Sequence, residues 1–213
     1  MNSLKPILLT LTILIGLALQ SGNAHARNLQ TAIFAGGCFW CVESDFDHID
    51  GVIDTTSGYA GGTMANPTYK NHTGYVEAVR IRFDADKVSY RQLIDTFWRT
   101  IDVFDAGGQF CDRGHSYIST VYTSGAQQKA DAEASKAAAE AALGKKIVTP
   151  IINATTFTEA EAYHQNYYKG QNRVLTRFGY VKQADAYKGY RKGCGRDARV
   201  KAIWGKAAPF AGM

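Results

Sequence analysis

Asn28-Leu29-Gln30-Thr31-Ala32-Ile33-Phe34-Ala35-Gly36-Gly37-Cys38-Phe39-Trp40-Cys41-Val42-Glu43-Ser44-Asp45-Phe46 changes its hydrophobic period in the middle. Leu29, Ile33 and Phe34 mark a strand that runs into the Gly36-Gly37 turn, and Phe39, Val42 and Phe46 then recur at helical spacing. A strand, a glycine turn and a helix are the result, with Cys38 to Cys41 in the first helical turn. A thiol at a helix N-terminus meets unpaired backbone N–H groups and the positive end of the helix dipole, so Cys38 is expected to titrate below the usual value of about 8.5 and to be nucleophilic.

Outward from this unit, Val52 to Tyr59 reads as a second strand, and the loop Ala60 to Tyr69, with Gly61, Gly62 and Pro67, excludes regular structure. Val76 to Phe83 alternates around Glu77 as a strand, and Ser89 offers a cap for a helix through Arg99 bearing Leu93, Ile94 and Phe97. Asp102 to Ser116 lacks periodicity, Tyr117 to Thr123 reads as a strand, Gln127 to Leu143 as an alanine-rich helix stopped by Gly144, and Ile147 to Asn153 as a strand. Glu159 to Tyr168 looks helical, and Asn172 to Met213 mixes turns and short helices. Mixed strands and helices of this kind make an α+β layered domain.

Residues 1–26 stand apart. Lys5 precedes an apolar run from Ile7 to Leu19, and Ala24-His25-Ala26 offers small residues for cleavage after Ala26. The run is too short for a membrane helix, so residues 27–213 are expected to be one exported domain, periplasmic or secreted, free of the membrane once the leader is cut. The charge of +5 is scattered along the chain, which argues against a nucleic-acid partner. Four cysteines in an exported chain suggest structural disulfides, but Cys38 and Cys41 form a C-x-x-C unit, a spacing more often redox or metal-binding. Cys111 and Cys194 lie far along the chain.

Gly37-Cys38-Phe39-Trp40-Cys41-Val42-Glu43 resembles the signature of the A-class peptide methionine sulfoxide reductases. The pattern continues in Gly58-Tyr59-Ala60-Gly61-Gly62, Asn66-Pro67-Thr68-Tyr69, Glu77-Ala78-Val79, Asp112-Arg113-Gly114 with Ser116-Tyr117, and Tyr163-His164-Gln165-Asn166-Tyr167-Tyr168, in family order. The resemblance implies a ferredoxin-like α+β sandwich with long catalytic loops and an irregular C-terminal tail. It implies reduction of the S epimer of methionine sulfoxide, free or in proteins, as a repair of oxidative damage. Cys38 would attack the sulfoxide sulfur, Phe39 and Trp40 would hold its methyl group, and Glu77 would protonate the departing oxygen. Tyr69 and Tyr117 would donate hydrogen bonds to that oxygen, and Asp112 would organise the polar cluster.

Burial must keep Glu77 protonated for this role, since a free glutamate titrates near about 4.3. Attack leaves Cys38 as a sulfenic acid, which a second thiol converts to a disulfide and an external dithiol, such as thioredoxin, then reduces. Cys194, in the glycine-flanked tail, is slightly preferred as that second thiol, with Cys41 the alternative; Cys111 receives no role. No metal or organic cofactor is implied, and a monomer is expected. Tyr75-Val76 before Glu77 and Ile118 after Tyr117 depart from the common pattern, which leaves open whether free or protein-bound substrate is preferred. A periplasmic thiol–disulfide oxidoreductase explains only the C-x-x-C unit. Haem attachment lacks its histidine, because Val42 stands there, and structural zinc lacks a second paired spacing. A non-catalytic, disulfide-stabilised binding protein is the remaining class.

Overall fold

The computed structural model describes residues 27–212; the expected leader lies outside them. Strand β1 (Leu29–Ala35) turns into helix α1 (Phe39–Phe46), followed by β2 (Val52–Ala60), β3 (Val76–Asp84) and helix α2 (Tyr90–Trp98). Two short strands, β4 (Gly108–Gln109) and β5 (Asp112–Arg113), form a hairpin. Then come β6 (Thr120–Thr123), helix α3 (Gly125–Leu143), β7 (Ile151–Asn153) and β8 (Phe157–Glu159). A hairpin of β9 (Arg173–Thr176) and β10 (Gly179–Lys182) leads into helices α4 (Gln183–Gly193) and α5 (Arg196–Trp204).

The main sheet has the order β7-β6-β1-β3-β2-β8. Its centre is antiparallel, β1 pairing with both β3 and β6 and β3 with β2, while β6 and β7 run parallel. The first strand–turn–helix thus puts Cys38 at the end of the middle strand. Gly37 makes the turn possible twice over. Its φ is +82°, and a Cβ there would fall 2.5 Å from the Cβ of Gln109. Gln109 is itself pinned, its amide bracketing the backbone of Asp102 at 2.8 and 2.9 Å.

Helix α2 covers the sheet with Leu93, Ile94 and Phe97, fully buried along with Phe34 of β1, and Phe34 stacks on Phe97 with ring centroids 4.8 Å apart; α3 buries Ala132 and Ala139 in the same core. Each of the Leu, Ile and Phe side chains contributes about 1.5–3 kcal/mol by leaving water. Ser89 caps α2 in a reciprocal box with Gln92, and Gly144 ends α3 in the left-handed conformation, as its position after the alanine run predicts.

Two expectations need correction. Glu159 to Tyr168 is not an α-helix: β8 occupies its start, and two separate 3-10 turns, at Ala162–His164 and Tyr167–Lys169, follow. Long-range bonds win over helical propensity here. Gln165 spans the backbone of Ser57 with its amide, accepting and donating at 2.9 Å, and Asn166, at φ 55°, gives its N–H to Glu43. The strands expected from Tyr117 and Ile147 begin later, at Thr120 and Ile151.

The C-terminal helices are clamped to α1 by a buried ion pair. Arg191 on α4 donates to Asp45 at 2.7 Å and to Asp197 at 2.9 Å. Burial nevertheless pushes the Asp45 carboxyl up against the pull of Arg191, so the pair is worth less than its geometry suggests. Arg191→Met is expected to cost about 3 kcal/mol, the lower end for a broken buried pair, measured as a shift of the urea unfolding midpoint.

Candidate active site

Cys38 is the N-cap residue of α1, and its side chain faces Cys41 one turn on; both thiols are free and buried. Around Cys38 lies a cavity of about 50 Å³ lined by Phe39, Trp40, Tyr69, Glu77, Asp112, Tyr117 and Tyr190. This is room for little more than one water molecule, so only the tip of a side chain fits. All the residues singled out around Cys38 in the sequence therefore meet at one place, with Tyr190 added.

Each is held from a different element. Glu77 stands on β3, 2% exposed, and accepts the backbone N–H of Phe39 at 3.0 Å. Burial, against that one hydrogen bond and with Asp112 adding to it, pushes its carboxyl up to about 8. Glu77 is consequently a proton donor at neutral pH. Tyr69 stands within the long loop between β2 and β3, which Glu161 ties down by accepting Tyr69 N–H at 3.0 Å and the Tyr59 hydroxyl at 2.9 Å. Tyr117 closes the 3-10 turn His115–Tyr117 and hydrogen-bonds Tyr69 through its side chain. Burial pushes both phenols up, that of Tyr69 to about 12, so they remain donors throughout the working pH range.

Trp40 is braced by Tyr167, the rings stacked 3.9 Å apart at 9°, with Tyr190 at its edge. Asp112 accepts the Tyr190 hydroxyl. Tyr190, Tyr167 and His164, whose ring lies 5.0 Å from Phe39, were not given roles from the sequence. The Tyr163-to-Tyr168 block signalled the last two, whereas Tyr190, far along the tail, carried no motif.

The thiols do not titrate as a bare helix N-terminus predicts. Burial raises Cys38 well above the ordinary thiol value, and its hydrogen bond to Cys41 and the nearness of Glu77 act in the same direction. Cys41, taking that hydrogen bond and lying near Arg196 and Arg191, is lowered to about 7. An eight-residue helix cannot offset full enclosure beside a second sulfur. Cys41 is the more acidic of the two, and Cys38 is the donor in the hydrogen bond between them.

Cys194, preferred from the sequence as the second thiol, is bonded to Cys111 in a disulfide with Cα atoms 4.8 Å apart. Cys111 adjoins Asp112 in β5, and the Cys194 N–H bonds the Tyr190 carbonyl, so this bond borders the cavity on both sides. Among the described residues Cys111, Asp112 and Cys194 also bring three possible metal-ligand atoms within 4.8 Å, but two of the three are the bonded sulfurs.

The arrangement is an ionisable sulfur facing a protonated carboxyl and two phenol donors across a space for a small polar group. If those phenols serve the reacting oxygen, Tyr117→Phe is expected to lower kcat about 10- to 100-fold with a smaller change in KM, checked by steady-state kinetics.

A family model described as peptide methionine sulfoxide reductase matches residues 30–197. Peptide methionine sulfoxide reductase MsrA 2 of Rhizobium meliloti (strain 1021) is 48% identical over 192 residues, covering 89% of this chain and 90% of that one. The MsrA of Bacillus velezensis (strain DSM 23117) is 44% identical over 181 residues, 82% of this chain and 96% of its own. Among solved structures, methionine sulfoxide reductase A of Corynebacterium diphtheriae matches with a TM-score of 0.61 at 26% identity, over 73% of this chain and 84% of that one. Mxr1 from Saccharomyces cerevisiae in reduced form matches with a TM-score of 0.63 at 25% identity, over 72% and 92%.

Proposed function

This chain belongs to the peptide methionine sulfoxide reductase family, and from that premise we infer how its residues divide the work of reducing the S epimer of methionine sulfoxide. The observation that carries the reading is the buried Glu77 carboxyl, still protonated at neutral pH, on the same small cavity as Cys38. Phe39 and Trp40 take the methyl group of the substrate, and Tyr69 and Tyr117 donate to its oxygen. As the substrate seats, Cys38 passes its proton to the Cys41 sulfur that accepts its hydrogen bond. The sulfur then attacks the sulfoxide sulfur while Glu77 protonates the oxygen, which would otherwise be a poor leaving group. A thiol with a high pKa is rare as the thiolate but more nucleophilic once ionised.

The bond between Cys38 and the substrate sulfur then breaks as the hydroxyl passes from that sulfur to Cys38, which is left as a sulfenic acid while the methionine thioether leaves: the substrate gains two electrons and Cys38 loses two. Cys41 is the resolving thiol in this reading, because it already contacts Cys38 and is the more ionised of the two. Its sulfur attacks Cys38, the S–S bond forms, the S–O bond breaks and the oxygen departs as water. An external dithiol protein of the thioredoxin type then returns both sulfurs to thiols by exchange. No metal or organic cofactor enters. Asp112 accepts the Tyr190 hydroxyl and so holds that ring beside Cys38.

We read the β1-α1-β2-β3-α2-β6 core as the ferredoxin-like split βαβ arrangement. Lys5, the apolar run to Leu19 and Ala24-His25-Ala26 support export of the domain 27–213, and a Cys111–Cys194 disulfide suits an oxidising compartment. The test is an assay of the purified protein on both epimers of a methionine sulfoxide with dithiothreitol: turnover confined to the S form is expected, and no turnover of either form overturns the reading.

A further inference from the structure

Arg196, the first residue of α5, is 2% exposed. Its two terminal nitrogens reach back to the carbonyl of Gly36, at 3.2 and 2.7 Å, and its guanidinium lies 4.5 Å from the ring centre of Phe110. Its Nε is buried without a partner. Among the described residues it makes no ion pair with a carboxylate, unlike Arg191, whose charge is shared by Asp45 and Asp197. A buried cation left uncompensated costs several kcal/mol. The fold tolerates it where an anion lies close, and Cys41 lies in its field.

We propose that Arg196 is a positioning residue for the thiol pair: its buried guanidinium, without a carboxylate partner among the described residues, favours the ionised form of the Cys38–Cys41 pair, and its fork on the Gly36 carbonyl fixes the turn that carries them. The inference rests on both sulfurs acting together, as in the mechanism above, but it concerns their charge before any substrate arrives. Gly36 is held from one side by this fork, and Gly37 is wedged from the other by Gln109. The charged and titratable groups facing the pair are Tyr69 from the loop after β2, Glu77 from β3, Asp45 from α1, Asp112 from β5, Tyr117 and Tyr167 from 3-10 turns, Tyr187, Tyr190 and Arg191 from α4, and Arg196 from α5. Of the two cations, Arg191 is already neutralised. Arg196 also lies within electrostatic reach of Asp45 and Asp112, whose carboxyls burial pushes up against its pull, but Asp45 is already engaged by Arg191 and Asp112 by the Tyr190 hydroxyl.

The experiment measures the pH dependence of the thiolate absorbance at about 240 nm, which reads the free thiols Cys38 and Cys41 without needing access to them, in the full-length protein and its Arg196→Met and Arg196→Lys variants. Far-UV circular dichroism checks the fold of each. In Arg196→Met the thiolate midpoint is expected to rise by about one pH unit from its value of about 7, roughly a fivefold loss of thiolate at neutral pH, while Arg196→Lys, which keeps the charge without the fork, stays within a few tenths of wild type. A folded Met variant with an unshifted midpoint overturns the proposal. Should the Met variant not fold, Lys decides: a wild-type midpoint supports the proposal and a rise of a full unit overturns it. A Cys41→Ser protein that still forms an intramolecular disulfide at Cys38 would remove Cys41 from the resolving role without touching this result.

Discussion

Cys38→Ser reduces methionine sulfoxide at least about 10⁴-fold more slowly than wild type, the scale of loss when a covalent nucleophile is removed. No other sulfur replaces it. Cys41 is more readily ionised, but it does not line the cavity, whereas Cys38 does. Cys41→Ser is the informative partner, because it keeps the nucleophile and removes the resolving thiol. It should release one methionine per active site in the absence of reductant and then stall, with Cys38 trapped as a sulfenic acid detectable by dimedone. A burst of one equivalent from Cys38→Ser would mean that the nucleophile lies elsewhere.

Glu77→Gln is the second large effect. Proton donation in the transition state is commonly worth about 10²- to 10⁴-fold, and a 10³-fold loss in single-turnover rate is expected here, with the Phe39 hydrogen bond retained by the amide oxygen. The pH profile separates this from a packing defect. The wild-type rate should decline as pH rises through about 8, where Glu77 gives up its proton, and the Gln variant should lack that falling limb. Stability follows the same titration. The carboxyl is raised from 4.5 to about 8 in the folded protein, so stability is fully present below 4.5 and is lost as pH climbs through 8. Glu77→Gln should therefore lose less stability than wild type across that window in urea unfolding. A variant with full activity and an unchanged falling limb would remove Glu77 from the chemistry.

The parts of the fold legible in the sequence are those whose causes are local. The switch from strand to helix around Gly36-Gly37, the Ser89 cap and the Gly144 stop each follow from a few adjacent residues, and each stands where those residues put it. Where the cause lies far along the chain, local reading fails. Glu159 to Tyr168 has helical composition but is drawn out by Gln165 on Ser57 and by Asn166 on Glu43. Tyr190 completes the cavity from more than 70 residues past the last of its other lining groups. The pairing of Cys111 with Cys194 is likewise a property of the folded chain. The thiol charge is the subtler case: position at a helix start was read correctly, but enclosure, visible only in three dimensions, outweighs it.

Helices α4 and α5 carry Tyr190, Arg191 and Arg196 to a nucleophile translated some 150 residues earlier. Until they arrive, the nascent polypeptide presents two naked thiols to whatever oxidant surrounds it. A product truncated before residue 183 would keep every signature block yet remain unsealed, a target for adventitious oxidation rather than a working catalyst.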